Sequence, residues 1–178
     1  MTGGESGQNH RSTSYDAELR RHSEVLRRAC AIQSTDHVLD IGCGSGQTAR
    51  QAARKAHAGS ALGVDVSAPA IERARELAQR EGLQDVTFEC ADAETYRFWQ
   101  ERFDVAISRF GTMFFADPAK AFANVGRALK LARRLVMMVC QAHERNEWDV
   151  AIRRSTTNPR QAPTVLARRS ADPPIHRP

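Results

Sequence analysis

Apolar and polar residues recur along the chain with two different spacings. Short apolar runs are typical of buried strands, while apolar residues three and four positions apart are typical of amphipathic helices. The runs predict five strands, over 37–41, 61–66, 86–90, 103–108 and 135–140. The helical spacing predicts a helix over 14–32, before the first strand, and further helices after the first, second and fourth strands.

The helices between the strands carry start and stop signals. Ser67 and Asp117 each precede a proline by one or two residues, an arrangement that favours a helix N-terminus. Gly59 and Gly82 follow two of the apolar faces and provide C-terminal stops. The predicted inward faces are Ala49, Ala52, Ala53 and Ala56; Ile71, Ala74, Leu77 and Ala78; and Ala121, Phe122, Val125 and Leu129.

Strands that alternate with helices of this length predict βαβ units with right-handed crossovers. We therefore expect an α/β fold with a doubly wound, mainly parallel sheet in the order 3-2-1-4-5. In such a sheet a ligand binds beyond the carboxyl ends of the strands, next to strand 1. Functional residues are expected at those ends.

Glycines and acidic residues follow the first three predicted strands. The first strand contains Asp40 and runs into Gly42, Gly44 and Gly46, a loop that opens a helix. Glycines allow a tight turn and the close approach of a ligand, and the helix N-terminus offers free N–H groups. Asp65 lies 19 residues after Gly46, where a carboxylate can accept both hydroxyls of a ribose.

A nicotinamide-dependent oxidoreductase is one alternative for this loop. Residues 44–49, Gly-Ser-Gly-Gln-Thr-Ala, satisfy the G-x-G-x-x-A pattern, and Asp65 lies near the expected distance. Asp40 argues against that alternative, because its carboxylate would repel a pyrophosphate at the mouth of the loop and favour a cationic ligand there. Asp92, after the third strand, adds a possible contact to an adenine amino group that the dinucleotide fingerprint lacks.

The motifs VLDIGCGSGQ, GVDVS, ECADAE and FDVAISRFGTMFFADPAKAFANVGRALK occur in this order between about Asp36 and Gln141. This series resembles that of the class I S-adenosylmethionine-dependent methyltransferases, which have a Rossmann-like fold. The resemblance implies S-adenosylmethionine as cofactor and methyl transfer to a small-molecule acceptor. The residues it places around the cofactor are Asp40, Gly42, Cys43, Gly44, Gly46, Asp65, Val66, Asp92, Ala93 and Arg109.

Each of these residues has a role in the resemblance. Asp40 would lie near the methionine amino group, the loop of Gly42 to Gly46 under the cofactor, and Asp65 on the ribose. Val66 would lie against the adenine, with Asp92 and Ala93 at its edge. Ser108, Arg109 and Phe110 would face the methionine portion and the acceptor. Tyr15, His22 and His143 are candidates for a base, but packing or surface roles are favoured for all three, so no catalytic residue is assigned.

The sequence departs from the family pattern at two places. Leu131, Ala132 and Arg133 replace the Pro-Gly-Gly turn that commonly precedes strand 5. No antiparallel strand pair is predicted after strand 5, although the family normally has one. A truncation or a frame change would produce this pattern, so a cofactor-binding protein with weak turnover is a second hypothesis.

Composition and charge narrow the function classes. Six arginines and one acid lie in residues 153–178, while the first 152 residues hold 20 basic and 20 acidic residues. A neutral body argues against a nucleic-acid-binding face. The cysteines (Cys30, Cys43, Cys90 and Cys140) and the six histidines are scattered, which predicts no metal site. No apolar stretch is long enough to span a membrane, and no signal peptide is evident, so a cytoplasmic protein is expected.

The predicted organisation has three parts: a flexible N-terminus over 1–13, the cofactor-binding domain over 14–152, and a disordered basic tail over 153–178. The tail holds five of the seven prolines and shows no apolar periodicity, so it cannot bury enough surface to offset the entropy of ordering. Without a final strand pair, strand 5 would be an exposed apolar edge, which favours self-association.

Overall fold

The computed structural model describes residues 20–142 and residue 145. Five strands form one parallel sheet in the order β3-β2-β1-β4-β5, which confirms the predicted fold and strand order. The strands are β1 (His37–Ile41), β2 (Ser60–Asp65), β3 (Val86–Cys90), β4 (Phe103–Arg109) and β5 (Leu129–Met138). The sheet lies in the first of the two units into which the chain divides, Met1–Val139.

Two helices begin at the N-cap signals of the sequence, and the helix predicted over 14–32 ends two residues earlier than predicted, with its predicted start outside the described residues. The helices are α1 (Arg20–Cys30), α2 (Gln47–Lys55), α3 (Ala68–Arg80) and α4 (Pro118–Ala128), with a 3₁₀ turn over Thr112–Phe114. The N–H of Ala70 donates to the Ser67 hydroxyl across 3.4 Å, and the N–H of Lys120 donates to the Asp117 carboxylate across 3.0 Å. Both capping residues thus satisfy an N–H group that the first helical turn leaves free.

Helices cover both faces of the sheet. The alanine face of α2 and the inner faces of α1 and α3 bury one side of the strands, and α4 buries the other. Small side chains on α2 let its backbone lie close to β1, because each alanine adds no more than a methyl group between helix and sheet. Neighbouring residues of one strand therefore face opposite layers: Val38 packs towards α2 and Leu39 towards α4.

Strand β5 starts earlier than predicted. The sequence places it at 135–140 and places Leu129 on the inner face of the preceding helix, but Leu129 begins the strand and Ala128 closes the buried face of α4. Phe103 pairs with Leu129 and Val105 with Arg134, so four residues of β5 bulge opposite Asp104 alone.

Asp104 organises this bulge. Its buried carboxylate accepts the backbone N–H of His37 at 2.9 Å and the Lys130 ammonium at 2.9 Å, and the Arg133 guanidinium lies at 3.3 Å. Burial opposes its ionisation, but the hydrogen bonds from His37 and Lys130 outweigh burial and lower the pKa of Asp104. The apolar periodicity of β5 could not reveal the bulge, because the bulge is held by the ion pairs of Lys130 and Arg133 with Asp104 on another strand.

Several sequence predictions fall outside the described residues. These are the flexible N-terminus, the disordered tail and both ends of the predicted domain. Within residues 20–142, β5 pairs with β4 alone, and Met137 and Val139 are 44% and 49% exposed. Self-association through this edge stays a prediction, as does a cytoplasmic location. No helix in the described part of the chain has the length and apolar character that a membrane crossing needs.

The bulge generates a stability prediction at Ala132. This exposed residue has a φ of +57°, at the place where the family commonly has glycine. A left-handed conformation costs a residue with a Cβ about 1–2 kcal/mol. Glycine avoids this cost, and the stability that it loses through the added entropy of the unfolded chain is smaller. We expect Ala132→Gly to raise the free energy of unfolding by about 0.5–1 kcal/mol in urea denaturation.

The matched control is Ala58→Gly. Ala58 is also an exposed turn residue, but it does not have a positive φ. Its replacement should lower the free energy of unfolding by about 0.4–1 kcal/mol, because glycine only adds unfolded-state entropy there. Equal losses from both substitutions would contradict a strained Ala132.

Candidate functional site

The loop after β1 is hydrogen-bonded to the end of β2. The N–H groups of Gly42 and Cys43 donate to the Val64 carbonyl at 2.9 and 3.1 Å. The N–H of Gly44 donates to the Asp65 carboxylate at 2.8 Å. Three consecutive amides therefore fix the glycine loop against the neighbouring strand before it enters α2.

Two glycines of this loop are required for different reasons. A Cβ on Gly42 would lie 2.6 Å from the Cα of Gly111, so the loop packs directly against the segment after β4. Gly44 has a φ of +54°, and a Cβ there would meet nothing within 4 Å. Gly42 is needed for packing inside the protein, whereas Gly44 faces open space that a ligand can enter.

Gly46 and Gly63 leave room for one aromatic ring. A Cβ on Gly46 would lie 2.5 Å from the Phe88 ring, and a Cβ on Gly63 would lie 2.8 Å from it. Phe88 itself is almost fully buried in the core between the sheet and the helices α2 and α3. The end of the glycine loop thus rests on a core side chain.

Asp65 has two backbone partners. One carboxylate oxygen accepts the N–H of Gly44, and the other accepts the N–H of Ser67 at 2.9 Å. It therefore joins the glycine loop to the start of α3. The sequence predicted a ligand-binding role for Asp65 but not this structural one, since a hydrogen bond across 21 positions leaves no local signal.

An open cavity of about 1160 Å³ lies at the carboxyl ends of the strands. The structure brings eight of the ten predicted site residues to its wall: Gly42, Cys43, Gly44, Asp65, Val66, Asp92, Ala93 and Arg109. Asp40 and Gly46 do not line it: Asp40 is buried on β1, and Gly46 ends the glycine loop against Phe88. A smaller cavity, of about 250 Å³, lies between α1 and α2, away from the strand ends.

Asp40 is buried and incompletely paired. Its side chain is on β1 and the residue is 1% exposed, and its Oδ2 has no hydrogen-bond partner. Burial raises the pKa of Asp40 to about 7, although the Arg109 charge and a backbone hydrogen bond from Ala49 lower it. A cation bound near the glycine loop would stabilise the ionised form of this carboxyl group, whose Oδ2 has no hydrogen-bond partner.

Arg109 lies at the end of β4 and is held by two neighbours. Its guanidinium donates to the Ser23 hydroxyl of α1 and to the Gln47 side-chain oxygen of α2, both at 2.6 Å. These bonds fix a positive charge on the cavity wall near Asp40. The Asp40 and Arg109 side chains, 69 positions apart, come together because β1 and β4 are adjacent in the sheet.

The opposite part of the wall contains residues that the sequence did not suggest. One Glu94 oxygen accepts the N–H groups of Ala116 and Asp117, at 2.6 and 3.1 Å. This contact fastens the loop after β3 to the start of α4. Phe114, also on the wall, is 81% exposed. Neither loop has a periodic pattern, which is why the sequence did not reveal their contact.

Of the three candidate bases, only His22 is among the described residues, and it does not line the cavity. Tyr15 and His143 lie outside the described residues. His22 is exposed on α1 and packs edge-on against Phe110, with 6.2 Å between ring centroids. Cys43 is buried, and burial raises the pKa of its thiol. Across the described ranges, 20–142 and 145, no group of three or more His, Cys, Asp or Glu side chains is arranged to hold a metal ion.

Comparison with known proteins identifies a family. The model of a methyltransferase domain matches residues 38–131. The methyltransferase YcgJ of Bacillus subtilis, itself uncharacterized, is 31% identical over 114 residues, which are 64% of this chain and 44% of that protein. A demethylmenaquinone methyltransferase of Thermus thermophilus is 31% identical over 129 residues, 72% of this chain and 58% of its own length.

Solved structures agree with these relatives. The crystal structure of YcgJ superposes with a TM-score of 0.65 at 29% identity and covers 74% of this chain and 56% of that one. A phosphoethanolamine N-methyltransferase of Haemonchus contortus, in complex with phosphomonomethylethanolamine and S-adenosylhomocysteine, gives a TM-score of 0.62 at 27% identity. It covers 75% of this chain but 32% of that protein, so this chain spans about half or less of several relatives.

The environment of Asp40 predicts a specific pH dependence of stability. Its folded-state pKa of about 7 lies above its ordinary value of 3.8, so the folded state holds the proton more tightly and loses stability as pH rises from 4 to 7. Asp40→Asn stays neutral throughout. We expect the variant to gain roughly 2–4 kcal/mol relative to the wild type between pH 4 and pH 8, measured by urea denaturation.

Asp104→Asn provides a control of opposite sign. The pKa of Asp104 is lowered in the folded protein, so its carboxylate stabilises the fold above its ordinary pKa and loses that effect in acid. The Asp104 variant should therefore lose relative stability as pH rises. Parallel profiles for the wild type and Asp40→Asn would contradict the burial of an ionisable Asp40.

Proposed function

Since this chain belongs to the methyltransferase domain family, we propose that its cavity binds S-adenosylmethionine and that it transfers a methyl group to a small-molecule acceptor. The observation that carries the proposal is the open space above Gly44. The loop is hydrogen-bonded on one side to Asp65 and packed on the other against Gly111, yet a Cβ on Gly44, which lines the cavity, would meet nothing within 4 Å. A cofactor that lies across a glycine loop requires such a space.

The end of the cavity near β2 and β3 suits an adenosine group. Each Asp65 oxygen accepts one backbone N–H and retains a lone pair, so the carboxylate can still accept the two ribose hydroxyls. Val66 is exposed beside it and offers an apolar surface to the adenine face. Asp92, exposed after β3, and Ala93 would lie at the adenine edge.

The end near β1 and β4 suits the amino-acid portion of the cofactor. Asp40 lies beneath the loop, so it acts on the α-ammonium and sulfonium groups through its charge rather than by direct contact. Arg109 lines the cavity and can bind the α-carboxylate. The same Asp40 charge would repel the pyrophosphate of a dinucleotide, and the family match also favours methyl transfer over the nicotinamide alternative.

The chain's contribution to the reaction is positioning. When bound, S-adenosylmethionine supplies a methyl group that its sulfonium already activates. The glycine loop, Asp65 and Arg109 hold and orient the donor, and the walls of the cavity exclude water from the reacting atoms. No residue is assigned as a general base, because only some nucleophiles require one.

Relatives act on different acceptors. The names of the two relatives that specify a substrate refer to demethylmenaquinone and to phosphoethanolamine. Both are small molecules, which supports a small-molecule acceptor here but not a particular one. Weak turnover, the second hypothesis from the sequence, stays a prediction.

The proposal predicts binding of S-adenosylhomocysteine without binding of NAD, measured by calorimetry. Gly44→Val should weaken S-adenosylhomocysteine binding by about 10–100-fold, because the branched side chain would occupy the cofactor's space at a cost of about 1–3 kcal/mol. Binding of NAD in place of S-adenosylhomocysteine would contradict the proposed cofactor.

Gly82→Val is the matched control for this substitution. Gly82 also has a positive φ, +66°, and also has nothing within 4 Å of a Cβ, but it ends α3 and does not line the large cavity. Both variants therefore carry the same backbone strain. An equal loss of affinity in the two would mean that Gly44 acts through loop stability and not through contact with the cofactor.

A further inference from the structure

Three phenylalanines follow β4, and two of them have ring partners. Phe110 packs against His22 at 6.2 Å, and Phe115 packs against Phe122 of α4 at 5.6 Å, both edge-on. Phe114 has no ring partner in the described part of the chain, and it is 81% exposed. Leaving a large apolar side chain in solvent forgoes the stabilisation that its burial would provide.

Phe114 is nevertheless held in place. Its N–H donates to the Gly111 carbonyl at 3.2 Å within the 3₁₀ turn. The turn begins at Thr112, whose N–H donates to the buried Ser108 hydroxyl. On the other side, Glu94 binds the amides at the start of α4. The backbone that carries the ring is therefore fixed on both sides, so a ligand would not have to order this segment.

The ring of Phe114 lies on the wall of the cavity that we propose for the methyl donor. Gly111, three residues before Phe114, packs against Gly42 of the cofactor loop. The cavity-lining residues from Phe110 to Ala116 are Phe110, Gly111, Phe114, Phe115 and Ala116, all of them apolar. The charged groups on the rest of the wall belong to the parts assigned to the cofactor, to α3 and to Glu94, whose carboxylate accepts the N–H groups of Ala116 and Asp117.

We infer that Phe114 is the platform on which the methyl acceptor stacks, and that the acceptor is a flat, apolar ring compound. The inference rests on the proposed function, because the occupant must present its nucleophile to the donor beside Gly42. A flat ring matches the face of Phe114, and an uncharged one matches a wall segment that carries no charge. In the transfer, the acceptor's lone pair forms the bond to the methyl carbon while the carbon–sulfur pair stays on sulfur, and any acceptor proton leaves to water.

The experiment titrates two probes into protein saturated with S-adenosylhomocysteine. The probes are 1-naphthol, which is flat, and decahydro-1-naphthol, which has the same carbon skeleton without aromatic rings. We expect 1-naphthol to bind more tightly than its saturated counterpart. Phe114→Ala should weaken 1-naphthol binding about tenfold, and Phe114→Leu should weaken it nearly as much, since leucine is apolar but offers no ring face.

Trp99→Ala is the control, because Trp99 is also exposed, at 78%, and does not line the cavity. It should leave both affinities unchanged. The inference is overturned if Phe114→Ala has no more effect than Trp99→Ala, or if the saturated probe binds equally well. It is also overturned if Phe114→Ala lowers the thermal unfolding midpoint by more than about 2 °C, which would mean that the chain itself covers the ring. If S-adenosylhomocysteine does not bind the wild type, the proposed function fails as well.

Discussion

The site depends on the hydrogen bonds between the glycine loop and the end of β2. Three successive amides, from Gly42 to Gly44, are satisfied by the backbone and side chain of two consecutive residues, Val64 and Asp65. The parallel pairing of β1 with β2 brings these groups together. Once the amides are fixed, the loop turns its open side towards the cavity and enters α2 with the N-terminus of that helix at the same edge.

Electrostatics complement this geometry. A buried carboxylate beneath the loop and a guanidinium on the wall give the same end of the cavity both signs of charge, at Asp40 and Arg109. A zwitterionic amino-acid group can pair with both charges, whereas a ligand of a single sign would be repelled by the protein group of that sign. The other end combines the exposed, apolar Val66 with the acidic side chains of Asp65 and Asp92. The cavity is thus polarised along its length in a way that suits a long cofactor with chemically different ends.

Local patterns predicted the strands, because a strand buried on both faces requires a continuous apolar run. They predicted most of the helices, because the residues that cap a helix lie next to it in the sequence. The same reasoning predicted functional residues at the carboxyl ends of the strands, since parallel strands end at one edge, and eight of the residues that the resemblance implied line the cavity there. It failed where partners are distant in sequence. Arg50 is an example: no local pattern distinguishes it, yet it is buried and paired with Glu81 and the Ser45 carbonyl. The β5 bulge at Asp104 is another.

Phe88 connects the interior to the site in a way that restricts which substitutions the chain can tolerate. One ring fills the space left by the missing side chains of Gly46 and Gly63, on two different segments. Any side chain at either glycine needs a smaller residue at 88, and a smaller residue at 88 alone would leave a void beneath the cofactor loop. Sequence change at these three positions is therefore coupled. A redesign of the core that changes Phe88 would therefore disturb the glycine loop as well, although Phe88 does not line the large cavity.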